Sequence, residues 1–159
     1  MPIIGGGNAP GPGEVICEEV LFAGQDSAAG GTYQGSVTVP PNSWLLDIKV
    51  YGQALWTSVT SAVLKVGDAV DDDGWYVGIN AKATDLLVGE VLSMDSPGGK
   101  PGAYNVTATA LRKTQWSSLE RVVNGVITEV TTAGAIAGRT RMLVIYTSTS
   151  EPVPAEFAP

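Results

Sequence analysis

The densest run of acidic side chains in the sequence is VGDAVDDDGWY, residues 66 to 76. Carboxylate oxygens are the ligands that Ca²⁺ prefers in proteins, and a pair of carboxylates carries out glycoside hydrolysis. The stretch therefore raises two chemical hypotheses, a calcium loop and a catalytic carboxylate pair, beside the simpler one of a solvated turn. The acidic residues in question are Asp68, Asp71, Asp72 and Asp73.

The spacing of these residues does not fit an EF-hand. When the glycine of the stretch is placed at position six of the loop, Ala69 and Asn80 stand where carboxylates are required. A calcium site of another kind, on Asp68, Asp71 and Asp73, stays open as an alternative. A glycosidase pair needs carboxylates ~5–9.5 Å apart across a cleft, which adjacent loop aspartates rarely provide. We favour a connection between two strands, with the Asp-Gly pair forming the turn.

The rest of the sequence offers few reactive side chains. It contains no histidine, which excludes a Ser-His-Asp triad, a Cys-His pair and imidazole ligation of a metal. Its single cysteine, Cys17, lies in the apolar segment EVICEEVLF and is expected to be a buried small hydrophobe rather than a reactive thiol. PGGKPG, residues 97 to 102, lacks the spacing of a phosphate-binding loop. No catalytic residue, metal site or cofactor is predicted, and we do not expect an enzyme.

Charge and composition narrow the classes of partner. Nine basic and sixteen acidic residues give a net charge of −7, which argues against nucleic acid as a ligand, because phosphate binding needs clustered Lys and Arg. Charged residues make up 16% of the chain, against roughly 25% in a typical soluble domain, and this indicates a surface partly covered by partners. No apolar run approaches the ~18–20 residues of a membrane span, so no membrane segment is expected.

Tryptophan is the remaining residue type with a binding role. The four indole rings could stack on sugars, but tryptophans are more often anchors of cores and interfaces. These residues are Trp44, Trp56, Trp75 and Trp116.

Hydrophobic alternation predicts the elements that must position these side chains. Eight or nine short segments rich in Val, Ile, Thr and Tyr, separated by turn signals, are typical of strands. In SWLLDIKVYG, residues 43 to 52, the pattern predicts that Leu46, Ile48 and Val50 share one face. No long helix is convincing, so the sequence predicts an all-β fold: an antiparallel β-sandwich, jelly-roll-like.

The sharpest local signal is SSLERVVNGVITEVTT. Asn124 and Gly125 lie between two alternating runs, and Asn-Gly is the favoured pair for a two-residue type I′ turn. We therefore predict a hairpin that pairs Val123 with Val126. A helix over residues 114 to 123 is the alternative.

Gly-Pro-rich segments flank the predicted strands at both ends. Residues 1 to 13, MPIIGGGNAPGPG, form a predicted N-terminal arm, residues 14 to 148 the β-sandwich body, and residues 149 to 159, TSEPVPAEFAP, a C-terminal arm. Such arms have few side chains with which to order themselves, so we expect a neighbouring subunit to hold them.

The order of these segments resembles a known group of proteins. GSVTVPPNSWLLDIKVYGQAL, then AVLKVGDAVDDDGWYVGI, and finally GRTRMLVIYT resemble small virion proteins of tailed bacteriophages, the capsid decoration or cement proteins and related minor head or fibre proteins. The likeness covers residues 32 to 80 and 125 to 147, about half of the chain.

This resemblance implies a role without catalysis. It implies a structural virion protein, made in the host cytoplasm, that decorates and stabilises the outer capsid surface by binding the major capsid protein, often as a homotrimer. The alternative is a head-fibre or tail module that binds a host-surface glycan through an aromatic cleft around Trp56 or Trp75. No nucleic acid or membrane partner is expected. Subunit contacts are expected at Ile3, Ile4, Trp56, Trp75 and Phe157.

Overall fold

A computed structural model of the chain describes residues 13–24, 31–58, 60–82, 84–105, 115–130 and 138–148. Within these ranges the chain forms nine strands and no helix, and every pair of neighbouring strands is antiparallel. No helix of the described part of the chain is long and apolar enough to cross a membrane. In chain order the strands are β1 (Val15–Ala23), β2 (Thr32–Val39), β3 (Ser43–Ala54), β4 (Ser61–Gly67), β5 (Tyr76–Asn80), β6 (Val91–Leu92), β7 (Trp116–Ser117), β8 (Arg121–Val130) and β9 (Arg139–Ser148).

The strands form two sheets that pack face to face. The first sheet has the order β1-β9-β3-β6, with β7 paired to the start of β3, and the second has the order β2-β8-β4-β5. With β7 set aside, eight strands form two four-stranded sheets in the interleaved order of a jelly roll. The prediction of an all-β antiparallel sandwich is therefore confirmed.

Alternation along the strands builds the core between the sheets. On β4 the side chains of Ala62, Leu64 and Val66 point inward and are fully buried, while the residues between them are partly exposed. Because successive side chains of a strand point to opposite faces, each strand gives one set of residues to the interior. The core then joins both sheets in one cluster, which includes Ile48 and Val144 from the first sheet.

A β-bulge in β3 changes one predicted face. The register between β3 and β9 shifts between Leu45 and Asp47, so that Leu45, rather than Leu46, points inward with Ile48 and Val50. Leu46 is 42% exposed, and the prediction that it shares a face with Ile48 and Val50 is wrong. An extra residue in one strand breaks the strict period of two, and hydrophobicity could not reveal it because two leucines stand side by side.

The predicted hairpin at Asn124 and Gly125 is also wrong. Both residues lie inside β8, which is a central strand: Asn124 pairs with Ser36 on one side and with Gly67 on the other. The alternative helix is absent as well, since β7 and the start of β8 occupy that stretch. The glycine serves close packing: a Cβ atom on Gly125 would lie 2.6 Å from Phe22 Cζ. The fit between the sheets, rather than a turn, requires this residue.

Two further expectations from the sequence can be compared with the structure, one at β1 and one near residue 105. Cys17 is exposed, contrary to its predicted burial, because the alternation of β1 turns Ile16, Val20 and Phe22 toward the core instead. AYNVTATALR, residues 103 to 112, alternates in the manner of a strand, but the structure describes it only as far as residue 105, where the chain turns. The arms, apart from Gly13, lie outside the described residues, so the domain boundaries stay a prediction.

We expect Gly125→Ala to destabilise the protein by about 1–3 kcal/mol, because the added methyl group overpacks the space between the sheets. Its Cβ would lie 2.6 Å from Phe22 Cζ and 3.2 Å from Met142 Sδ. Gly31→Ala is the matched control, since its Cβ would lie 3.7 Å from Tyr33, an ordinary contact. Urea unfolding measures both variants, and an unchanged midpoint for Gly125→Ala would contradict the packing argument.

Glu129 predicts a pH dependence of stability. It is 3% exposed, and burial raises its pKa above the ordinary 4.5, while a weaker hydrogen bond with Tyr33 opposes this rise. Because the unfolded chain ionises at the ordinary pKa, its contribution to stability is full below that value and is lost as pH rises toward the raised pKa. Glu129→Gln should therefore be more stable than the wild type at neutral pH.

The measurement is urea unfolding of both proteins across the range from about pH 4 to about pH 8. Glu129→Gln should lack the part of the fall in stability that the buried carboxyl causes. Glu120→Gln, which alters an exposed carboxylate, should keep the wild-type profile. Identical profiles for Glu129→Gln and the wild type would refute this reading of the buried carboxyl.

Candidate interaction surface

The acidic stretch forms the connection between β4 and β5, as the favoured interpretation predicted. The Asp68 carboxylate accepts hydrogen bonds from the backbone amides of Val70, at 2.8 Å, and Asp71, at 3.0 Å. The Tyr104 hydroxyl donates a third bond to the same oxygen, at 3.3 Å. Burial raises the pKa of Tyr104, and the negative charge of Asp68 adds to the rise. Asp68 therefore holds the turn together.

The carboxylates that lie close together are those of Asp71, Asp72 and Asp73, within 4.8 Å of one another. The calcium alternative had grouped Asp68 with two of them, but Asp68 is turned toward backbone amides. Lys65 Nζ lies 3.1 Å from Asp72 and 3.7 Å from Asp73, and the hydrogen bond to Asp72 raises the pKa of the lysine. The lysine thus compensates part of the negative charge that a cation would neutralise.

The structure places Trp56 and Trp75 inside the sandwich. Trp56 is 1% exposed, and its indole nitrogen donates a hydrogen bond of 3.0 Å to Thr140 Oγ1. Trp75 is fully buried, with its ring 5.3 Å from the ring of Tyr104 in an edge-to-face arrangement. Neither indole offers surface to a glycan or to a neighbouring subunit in this arrangement. Contacts by the arm residues Ile3, Ile4 and Phe157 stay predictions, because these residues lie outside the described ranges.

The other two tryptophans are exposed and adjacent. Trp44 of β3 and Trp116 of β7 are directly paired and are 46% and 47% exposed. On its other side Trp44 pairs with Thr147 of β9, which pairs in turn with Val15 of β1. Because paired residues point to the same face of a sheet, these four side chains form a row across the outer face of the first sheet. We call this row the tryptophan strip.

Sequence reasoning did not single out the strip. Trp44 alternates with the buried Ser43 and Leu45, so its outward direction was readable in principle from the strand pattern. The pairing with Trp116 was not, because β7 is only two residues long, too short for alternation to reveal it. The bulge in β3 leaves Leu46 exposed next to the strip, and this too depends on the register.

A cleft of about 350 Å³ lies at the same end of the sandwich, between the β4–β5 connection and the start of β8. Its wall includes Val70, which is 90% exposed, and Leu119, which is 73% exposed. We call the tryptophan strip and this cleft together the apolar end. Contiguous exposed apolar surface on a soluble protein is typical of interaction sites, so the apolar end is the best candidate for a functional surface.

Arg121 joins the two parts of the apolar end. It lies in the wall of the cleft, and its Nη2 donates hydrogen bonds of 3.1 Å to the carbonyl oxygens of Ser43 and Gln115. These bonds hold the segment before β7 and the start of β3 against the start of β8. Burial lowers the pKa of the Arg121 guanidinium, and the charge of Asp68 opposes this shift. The arginine thus supports the surface rather than presenting its charge on it.

The order of the strands in the two sheets is that of a jelly-roll sandwich. Capsid and lectin domains use this architecture. A chain in the capsid of Ralstonia phage GP4 shares it with a TM-score of 0.51 and 16% sequence identity, over 91% of both chains. A chain in the capsid asymmetric unit of cyanophage Pam1 shares it with a TM-score of 0.51 and 20% identity, over 89% of this chain and 91% of that one. No protein-family model and no curated protein sequence matches the chain. At these identities the likeness shows a common fold.

We expect Asp68→Ala to lower the free energy of unfolding by about 1–3 kcal/mol, because it leaves two backbone amides of the turn without their acceptor. Asp72→Ala is the matched control. Its carboxylate is 75% exposed and bonds Lys65, and exposed ion pairs contribute little to stability. Urea unfolding compares the two, and equal losses would show that Asp68 has no special role in the turn.

Proposed function

We propose that this chain is a structural protein of a bacteriophage virion that decorates the outer surface of the capsid and stabilises the lattice of the major capsid protein. The observation that carries the proposal is the jelly roll shared, over about nine-tenths of the chain, with chains of two phage capsid structures. The sequence supports the same role through its resemblance to decoration proteins, and its lack of histidine leaves few routes to catalysis.

The apolar end is the surface that would attach to the lattice. Val70 and Leu119 are the two most exposed of the large apolar side chains that the structure describes, and they flank a cleft that a side chain of a partner can fill. Apolar side chains at the centre of an interface supply much of its binding energy when water is excluded. The net charge of −7 keeps such a protein soluble before it attaches.

The terminal segments leave from this same end. Val15, the first residue of β1, and Thr147, next to the last residue of β9, both lie in the tryptophan strip. Arms that start there are well placed to reach neighbouring subunits, as the sequence predicts for Ile3, Ile4 and Phe157. A homotrimer that places three such ends on one lattice position would multiply the attachment without new contacts.

One observation favours a second function, binding of a host-surface glycan by a head-fibre or tail module. The expected aromatic cleft around Trp56 and Trp75 is buried, but Trp44 and Trp116 are exposed side by side. Sugar rings stack on such faces. A lectin also needs fixed polar groups beside the rings, and the hydroxyl of Thr147, the polar side chain of the strip, is buried, so we rank this function second.

The test adds purified protein to capsids that lack it and measures occupancy by cryo-electron microscopy and particle stability by thermal melting. Val70→Ser with Leu119→Ser should weaken attachment at least tenfold, because each buried side chain contributes about 1.5–3 kcal/mol. Both residues lie outside the strands, so the body should stay folded.

Val88→Ser with Val91→Ser is the matched control, since these side chains are 58% and 53% exposed away from the apolar end. The control should attach like the wild type. Equal occupancy for the Val70 and Leu119 variant would reject the apolar end as the attachment surface. Failure of the wild type to bind capsids, together with binding to a glycan array, would favour the second function.

A further inference from the structure

We propose that the tryptophan strip of one copy of this chain binds the proline-rich C-terminal segment, residues 149 to 159, of a second copy. This contact would be a head-to-tail link between subunits. It does not rest on the capsid role, because the experiments below measure association of the chain with itself.

The strip has the chemistry of a proline-binding surface. Trp44 and Trp116 expose nearly half of their surface on one face, side by side. Exposed aromatic side chains bind segments in the polyproline II conformation, since the flat rings pack against pyrrolidine rings. Val15, at 62% exposure, and Leu46, at 42%, extend the apolar area. The row itself carries no charged side chain, since its fourth member is Thr147.

The C-terminal segment has the matching sequence. TSEPVPAEFAP carries three prolines, Pro152, Pro154 and Pro159, and one aromatic residue, Phe157. Alternate prolines favour the extended polyproline II conformation, which loses little conformational entropy on binding. The segment is therefore suited to the strip in both shape and chemistry.

The direction of β9 favours a second copy over the same copy. Ser148 pairs with Ser43 at the start of β3, and Thr147 lies in the strip itself. A segment that continues from Ser148 thus leaves the sheet beside its own strip and would have to reverse at once to cover it. In polyproline II its eleven residues span roughly 34 Å, about the diameter of a small domain.

Such a contact sets the symmetry of the assembly. The strip and the segment are different surfaces, so the interface between two copies is head to tail rather than self-complementary. Head-to-tail contacts close into a ring when the rotation between copies is right. The link therefore provides a structural basis for the homotrimer that the sequence resemblance implies. In such a ring each subunit contributes one strip and one segment to its two contacts.

Sedimentation velocity of the full chain tests the link. The wild type should associate with increasing concentration. The strip variant, Trp44→Ser with Trp116→Ser, and the segment variant, Pro152→Gly with Pro154→Gly and Phe157→Ser, should each associate at least tenfold more weakly.

Val88→Ser with Val91→Ser, the control, should behave like the wild type. Thermal unfolding checks that each variant is folded, and Leu46→Glu serves as a second strip variant if the tryptophan pair is needed for folding.

Mixing the two defective variants gives the decisive result. The strip variant keeps an intact segment and the segment variant keeps an intact strip, so the mixture should form heterodimers although neither protein associates alone. A segment bound to its own strip could not restore association in this way. The proposal is overturned if the wild type stays monomeric, if either variant associates like the wild type, or if the mixture shows no heterodimer.

Discussion

The close approach of the two sheets where β1 and β9 face β2 and β8 is the constraint on which the rest of the structure depends. Gly125, in the middle of β8, leaves the space that Phe22 of β1 and Met142 of β9 fill from the opposite sheet. Gly35 is paired with Gly125 and faces Val20 of β1 in the same manner. Two paired glycines thus let bulky side chains of one sheet sink into the other, and this fit fixes how the sheets lie.

Once the sheets are fixed, the ends of the strands determine what lies at the surface. The start of β1, the end of β9 and the start of β3 meet in one row, because they are neighbours in the same sheet. Arg121, at the start of β8 in the other sheet, reaches across to the carbonyl of Ser43 and joins that row to the cleft. The apolar end is therefore a product of strand order: side chains far apart in the chain become one surface.

In this arrangement the residues that stabilise the core differ from those that form the exposed apolar surface. Trp56 and Trp75 are buried inside the sandwich, where Thr140 and Tyr104 contact them. Trp44 and Trp116 are the exposed indoles. The acidic connection between β4 and β5 holds its own turn through Asp68 and forms one wall of the cleft. The proposed attachment and subunit contacts both use the end of the sandwich at which apolar side chains are exposed.

The sequence by itself determined the class of fold. Period-two alternation and frequent turn signals depend only on local residue order, and the β-sandwich followed from them. The tertiary structure alone decided the matters that depend on register: that Asn124 and Gly125 lie inside a central strand, that a bulge turns Leu46 outward, and that Trp44 rather than Trp56 is exposed. Asn-Gly has the same local preference for a turn in any chain, and the contact of Gly125 with Phe22 overrides it because packing across 103 residues of sequence outweighs a local preference.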